Sequence, residues 1–305
     1  MFPAIPAAVA ARLAALLTLA LVAASGAHAA PPTTPAPDEP AFPGQDECHV
    51  DLPAGTSWAP QEKWVWERIC TGEHAYLGLY AIRNPDVTAY GCDPENADDW
   101  PSAHVQLSMR FLDLVLRHPR YRRVVPDTGV RIVCATFPAE VDLAHAELPW
   151  PLEIAYSHFG AGANFHSLSV DGLLDLNGSV MDSELAADRL DVGTNLYMND
   201  GAAFQGVNLL GASVGGQLHA DGSTFQGKFN ADGIDVGGNL YMNDGATFRG
   251  VRLLGASVGG TLTASGSTFE GKFRADGIDV GGNLYMNDGA TFQGVDLLGA
   301  SGAGQ

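Results

Sequence analysis

From residue 126 to residue 301 the apolar side chains never form a long run. They come as short alternating pairs, Val130/Ile132, Val141/Leu143 and Leu240/Met242 among them, with Gly, Asn, Asp and Ser between one pair and the next. Alternation at period two marks a strand with one buried face. The glycines and the Asn-Asp-Gly triplets supply backbone positions that tolerate positive φ, which is turn chemistry. No stretch keeps a 3.6-residue apolar period over helical length. The pattern therefore predicts many short strands joined by tight turns and excludes a helical solenoid.

The pattern also repeats. Asn195 to Gly201 (Asn-Leu-Tyr-Met-Asn-Asp-Gly) recurs as Asn239 to Gly245 and as Asn283 to Gly289, 44 residues apart each time, and each 44 divides into two related rows of 22. The clearest rows begin at Val214, Val236, Val258 and Val280. Stepping back by 22, row 170–191 puts Val170, Leu174, Leu176, Met181, Leu185 and Leu190 in the apolar columns. Row 148–169 supplies Leu148, Leu152, Ile154 and Phe159, and row 126–147 supplies Val130, Ile132, Phe137, Val141 and Leu143. The count is eight rows, 126–301, with the most degenerate at the N-terminal end. A fixed short period means stacked copies of one unit. The fold that fits is an all-β solenoid, a parallel β-helix with one row per coil. Phe225 and Phe269, two coils apart, then share an interior column, and ten of the thirteen Phe lie in this segment. At about 4.8 Å per coil the stack is roughly 38 Å long.

One rule recurs inside the rows. Ala-Thr-Phe at 246–248 and 290–292, Ser-Thr-Phe at 267–269, Ala-Ser-Val at 212–214 and 256–258, and Gly-x-Leu at 216–218 and 260–262 each set a small residue two before a large apolar one. Over 126–301 this resembles the pentapeptide-repeat family. The resemblance implies a right-handed, quadrilateral β-helix in which the small and the large side chain both point inward. It brings no catalytic residues. The rows depart from the family in length, 22 rather than 20, and large residues are five apart only in places (Phe248, Leu253, Val258). The whole chain is similar to bacterial pentapeptide-like proteins of uncharacterised function, with a tryptophan-rich helical cap before long coils.

The segments before the rows read differently. Residues 1–29 have the form of a secretory signal: Arg12 precedes the apolar run Leu13 to Ala24, and Ala27-His28-Ala29 is a small-x-small cleavage site. The run is too short to span a bilayer. Cleavage near Ala29/Ala30 and a periplasmic or secreted protein without a stable membrane span are expected; the alternative is an uncleaved N-terminal anchor. Residues 30–45 form a Pro-rich linker, expected to be disordered. Residues 46–125 read as a small helical cap domain. Pro60 to Cys70 predicts a helix carrying Trp64, Trp66 and Ile69, and Ser102 is placed as the N-cap of a second one running to about His118, with Leu107, Phe111, Leu114 and Val115 apolar. An open β-helix end leaves backbone unpaired, so a lid is expected there. Row 280–301 is nearly perfect and only the short 302–305 tail follows it, so self-association through the last coil is expected.

Cys48, Cys70, Cys92 and Cys134 are an even set in an apparently exported chain, which predicts two disulfides that tie the cap to the first coil through Cys134. Three pairings are open. A zinc site is the alternative, but spacings of 22, 22 and 42 contain no CxxC pair.

The formal net charge is −19, and residues 126–301 hold 21 acids against 7 bases. Such a surface repels nucleic acid and anionic membrane, so neither is an expected partner. The acids lie beside turns: Asp200, Asp244 and Asp288 in Asn-Asp-Gly, Asp232 and Asp276 in Ala-Asp-Gly. They read as solvated turn residues; calcium is the sharper alternative, weakened because like acids recur only every second coil, roughly 10 Å apart. His145 and His166 fall at nearly one column of neighbouring rows, with His158 between them in sequence. Arg117, Arg120, Arg122 and Arg123 around Tyr121 form the basic cluster, expected to face the acidic rows or solvent. No phosphate loop, nucleophile elbow or HExxH occurs, and neither a cofactor nor a metal is expected.

The rows therefore point to a non-enzymatic, exported scaffold that binds a protein partner the sequence does not name. Duplication has copied surface as well as core, and Tyr197, Tyr241, Tyr285, Asp200, Asp244 and Asp288 are the candidate interaction surface. Two alternatives come from other classes. One is an acidic DNA mimic of the gyrase-binding type, which the resemblance suggests. The other is an envelope polysaccharide-binding or -modifying protein whose repeated tyrosines stack on sugar rings.

Overall fold

Val130, Leu152, Leu174, Leu196, Leu218, Leu240, Leu262 and Leu284 stand in register as one column, each on a strand parallel to the next. The chain is a parallel β-solenoid of about eight coils of about 22 residues with a short helical segment before it, as the apolar periodicity predicts. The computed structural model describes residue 48, residues 52–78 and residues 103–302. The expected signal 1–29, linker 30–45 and uncleaved anchor, with Ser102, Cys92 and residues 303–305 of the tail, lie outside the described residues.

Each coil contributes four short segments. In the first these are Val130–Val133, Thr136–Phe137, Val141–Asp142 and Glu147–Leu148. The first segments stack into sheet A, the second and third into sheet B, and the fourth into sheet C. From Val180–Ala186 onward, the two segments of sheet B join across a bend into one strand. The alternating pattern drives this arrangement: Leu240 and Met242 are buried while Tyr241 between them faces out. Small and large partners both lie inside, as Ala246 with Phe248 and Ser267 with Phe269 show.

Sheet B shows why the rows alternate in pairs. Its first column runs Phe137, Phe159, Met181, Phe204, Phe225, Phe248, Phe269, Phe292. From Met181 onward the steps alternate between 23 and 21 residues, whereas sheet A keeps 22 throughout. One residue moves between two places. In coils with the Asn-Asp-Gly turn it lengthens the turn, where Asp244 and Gly245 both take positive φ (56° and 79°). In the other coils it enters the strand as a bulge between Phe225 and Lys228 or between Phe269 and Lys272. The bulge explains Gly227: a Cβ there would lie 1.8 Å from the Gln205 carbonyl oxygen, while one on Gly250 of the next coil meets nothing within 4 Å.

The cap closes the first coil and shares its core. Helix α1 (Pro60–Cys70) and helix α2 (Met109–Arg117) are joined by Glu62. Its carboxylate accepts from the Ala59 N–H (2.8 Å) at the start of α1 and from the Ser108 N–H (2.9 Å) and hydroxyl (2.6 Å) at the start of α2. Ser108 is the N-cap, its hydroxyl oxygen accepting from the Phe111 N–H. The expected helix from Ser102 is corrected here: Ala103–Val105 is a 3-10 turn, and Gln106 bridges Thr136 of the first coil, holding the chain extended until Ser108. Helix α3 (Pro119–Arg122) follows; its Tyr121 packs on Trp58 and Trp66, and Trp58 meets Phe111 edge to face, in one aromatic cluster. Ala75–Tyr76 adds a strand to sheet A against Ile132–Val133, which the apolar pattern does not announce. Cys48 and Cys70 form a disulfide within the cap, and Cys134 on the first coil is disulfide-bonded as well.

At the far end the last coil leaves Leu284, Val295 and Leu298 exposed, Leu298 by 84%. No helix among the described residues is long and apolar enough to cross a membrane.

Candidate functional site

The outward positions of sheet A form a column beside the inward leucines: Arg131, Glu153, Asp175, Tyr197, His219, Tyr241, Thr263, Tyr285. Its chemistry changes along its length. The part near the cap is ionic and the part beyond is aromatic.

In the ionic part Glu153 pairs with His74 of the cap at 3.3 Å, and Asp175 stands one coil above Glu153. Asp175 accepts from the Asn177 N–H at 2.8 Å. Burial pushes its carboxyl up to about 7, with Glu153 and Asp200 adding repulsion while the Asn177 N–H and His74 oppose it. Burial, and then Glu153, also raise the phenol of Tyr76. Asp200 belongs to this part, since it accepts from the Tyr156 hydroxyl at 3.2 Å. The row pattern does not single out Asp175 or Glu153, because each occurs once and in a degenerate row.

In the aromatic part the rings of Tyr197, His219 and Tyr241 stack at 4.9 and 4.6 Å between centroids, tilted by about 25°. Each phenol is held by the asparagine two residues before it: Asn195, Asn239 and Asn283 donate to Tyr197, Tyr241 and Tyr285 at 2.8, 2.7 and 2.8 Å. Asn195 and Asn239 also accept from the backbone N–H of the next coil, at Gln217 and Thr261. The repeated Asn-Leu-Tyr thus clamps coil to coil as well as facing solvent. His219 covers one face of both Tyr197 and Tyr241, so that face cannot stack on a sugar ring, whereas no aromatic ring stacks between Tyr241 and Tyr285, which stand on either side of Thr263.

Turn residues border this column. Asp244 and Asp288 are exposed and make no side-chain hydrogen bond or ion pair with described residues. Between them, over the shorter turn of the intervening coil, lies a groove of about 510 Å³ lined by Asn243 to Gly245, Thr263, Ser265, Gly266, Tyr285, Asn287 and Asp288. The Ala-Asp-Gly acids are employed otherwise. Asp232 accepts from the Leu254 N–H and pairs with Arg252, and Asp276 accepts from the Leu298 N–H. Among the described residues no three His, Cys, Asp or Glu side chains converge as a metal-binding set.

The histidines divide. His145 and His166 meet edge to face at 5.0 Å, while His158 pairs separately with Asp182 at 2.8 Å. His166 Nδ1 lies 2.6 Å from Asp188, an acid in the next coil of the same column, and its Nε2 lies 2.7 Å from the Arg189 guanidinium. Arginine only donates, so Nε2 accepts and Nδ1 donates. Both ring nitrogens are thus engaged within the solenoid. In the basic cluster, Arg117 and Arg122 donate to the Ala144 and Glu147 carbonyls of the first coil, fastening the cap, and Arg120 and Arg123 face solvent.

No family model, no curated protein and no solved structure matches this chain.

Proposed function

We propose that the chain is a non-enzymatic, exported β-helix scaffold of the bacterial envelope that offers its repeated outer face to a protein partner. The observation that carries this reading is the outward column of sheet A. Its Asn-Tyr clamp occurs three times with the same internal hydrogen bond, flanked by the carboxylates of Asp244 and Asp288, which pair with no described residue. A repeated, rigid and acidic surface suits extended contact with a basic partner better than it suits catalysis at one point. The Cys48–Cys70 disulfide supports an oxidising compartment and disfavours a cytosolic DNA mimic. The inward small and large pairs support the pentapeptide-repeat assignment as part of the same proposal. The exposed Leu284, Val295 and Leu298 extend it to self-association at the last coil.

N-terminal sequencing and intact mass of the native protein from fractionated cells test the export step. The expected result is a chain beginning at Ala30, with oxidised cysteines, in the envelope fraction. A full-length, reduced, cytosolic chain would reject export and make the DNA mimic the better account.

A further inference from the structure

Two coils of the solenoid carry the same short turn with different side chains. In the coil of Leu218 the polar positions are Gln217, His219 and Asp221; in the coil of Leu262 they are Thr261, Thr263 and Ser265. In the first, the His219 ring fills the space between Tyr197 and Tyr241, and its nitrogens lie 3.1 Å from the Asp221 carboxylate and 3.0 Å from the Gln217 side-chain oxygen. A flat ring is thus held between two phenols, with a carboxylate and an amide against its two nitrogens. In the second, Tyr241 and Tyr285 stand in the same register on either side of Thr263, about two strand spacings or ~9.6 Å apart. Ring, carboxylate and amide have all been shortened to small hydroxyls there, and two of these, Thr263 and Ser265, line the groove beside Tyr285. The side-chain oxygen of Asn243, which lines it, has no hydrogen-bond partner among the described residues, and the same is true of Asn199 at the equivalent position beside His219.

We propose that this notch binds the guanidinium of an arginine presented by a partner protein, a reading that rests on the scaffold function. The guanidinium is flat, as the space between the phenols requires, and stacks on aromatic faces. Its donors meet the carboxylates of Asp244 and Asp288, which line the groove and have no cation of their own among the described residues. The charge of the repeat, 21 acids against 7 bases, draws a cation to it. His219 is the internal template: the same site, closed by a side chain of the chain itself.

The test is titration of the full chain with the capped tripeptide Gly-Arg-Gly and its lysine and citrulline counterparts, followed by calorimetry and by tyrosine ring-proton shifts. The arginine peptide is expected to saturate one site per chain, with lysine (charged, not flat) and citrulline (flat, uncharged) each about fivefold weaker. The triple variant Thr261→Gln, Thr263→His, Ser265→Asp refills the notch with side chains its sister coil already folds with, and should abolish binding. The reverse triple, Gln217→Thr, His219→Thr, Asp221→Ser, should raise the stoichiometry to two. Equal binding of the lysine peptide, unchanged binding in the refilled variant, or no saturation at about 20 mM arginine peptide would each overturn the proposal. A chain that still binds a protein partner in cells but ignores arginine peptides would remove the notch and leave the scaffold reading standing.

Discussion

Replacing Phe248 with Ala destabilises the solenoid by about 3–5 kcal/mol, read by urea unfolding. Phe248 is fully buried, stacks on Phe225 at 4.6 Å and Phe269 at 5.2 Å, and meets Phe229 edge to face at 5.6 Å. Its neighbours cannot close on the void, because strand pairing on both sides fixes their spacing along the stack. The loss also falls in the middle of a one-dimensional array, where each coil touches only its neighbours. A second, lower-stability transition for the coils beyond 248 is therefore expected. Phe292 in the last coil is only partly buried, stacks on Phe269 on one face and meets Phe273 edge to face at 5.8 Å, so with no ring stacked on its other face Phe292→Ala costs clearly less. Equal losses at the two positions would show that the ladder does not support the fold coil by coil.

Asp175→Asn works in the opposite direction and depends on pH. In the folded chain the Asp175 carboxyl keeps its proton to about 7, whereas its ordinary value is 3.8. Between those values the native state binds a proton that the unfolded chain has released, so wild-type stability falls as pH rises through that window. Above it the penalty is complete, and at 1.36 kcal/mol per pH unit its upper bound is ~4 kcal/mol. Asparagine keeps the acceptor for the Asn177 N–H and removes the repulsion from Glu153 and Asp200. The variant is expected to be more stable than wild type at pH 8, by up to ~4 kcal/mol, with the gap closing towards pH 4. A difference that stays the same at both pH values would show that burial of this carboxyl carries no charge penalty.

The apolar columns, the eight coils and the phenylalanine ladder were legible because recent duplication wrote the same inward pairs again and again. The 23/21 alternation in sheet B was hidden by the constant row length: a residue that leaves the bulge at Gly227 reappears in the turn at Asp244 and Gly245, so the period stays 22. The start of α2 was misplaced because Ser102 and Ser108 are equally able to cap a helix, and only the long-range bridge from Gln106 to Thr136 decides between them. The strand at Ala75–Tyr76 is two residues long and exists through its pairing with the first coil. Of the candidate surface residues, the tyrosines lie on the outward column of sheet A and Asp244 and Asp288 are exposed, while Asp200 is half-buried against the Tyr156 hydroxyl. The ionic part of the column escaped notice because Glu153 and Asp175 stand alone in their rows. The pairing of His166 with Asp188 had a usable signal, since a separation of 22 residues is one full coil.

The scaffold reading places a protein partner on the outward face of sheet A. It is tested most directly by a photo-crosslinking residue introduced in cells at Tyr241 on that face, at Gln226 on the outer side of sheet B, and at Ser257 on sheet C. The account predicts one discrete protein adduct from position 241 and none of the same mass from 226 or 257. The absence of a protein adduct from all three faces, in a chain shown to be folded and correctly located, would contradict it.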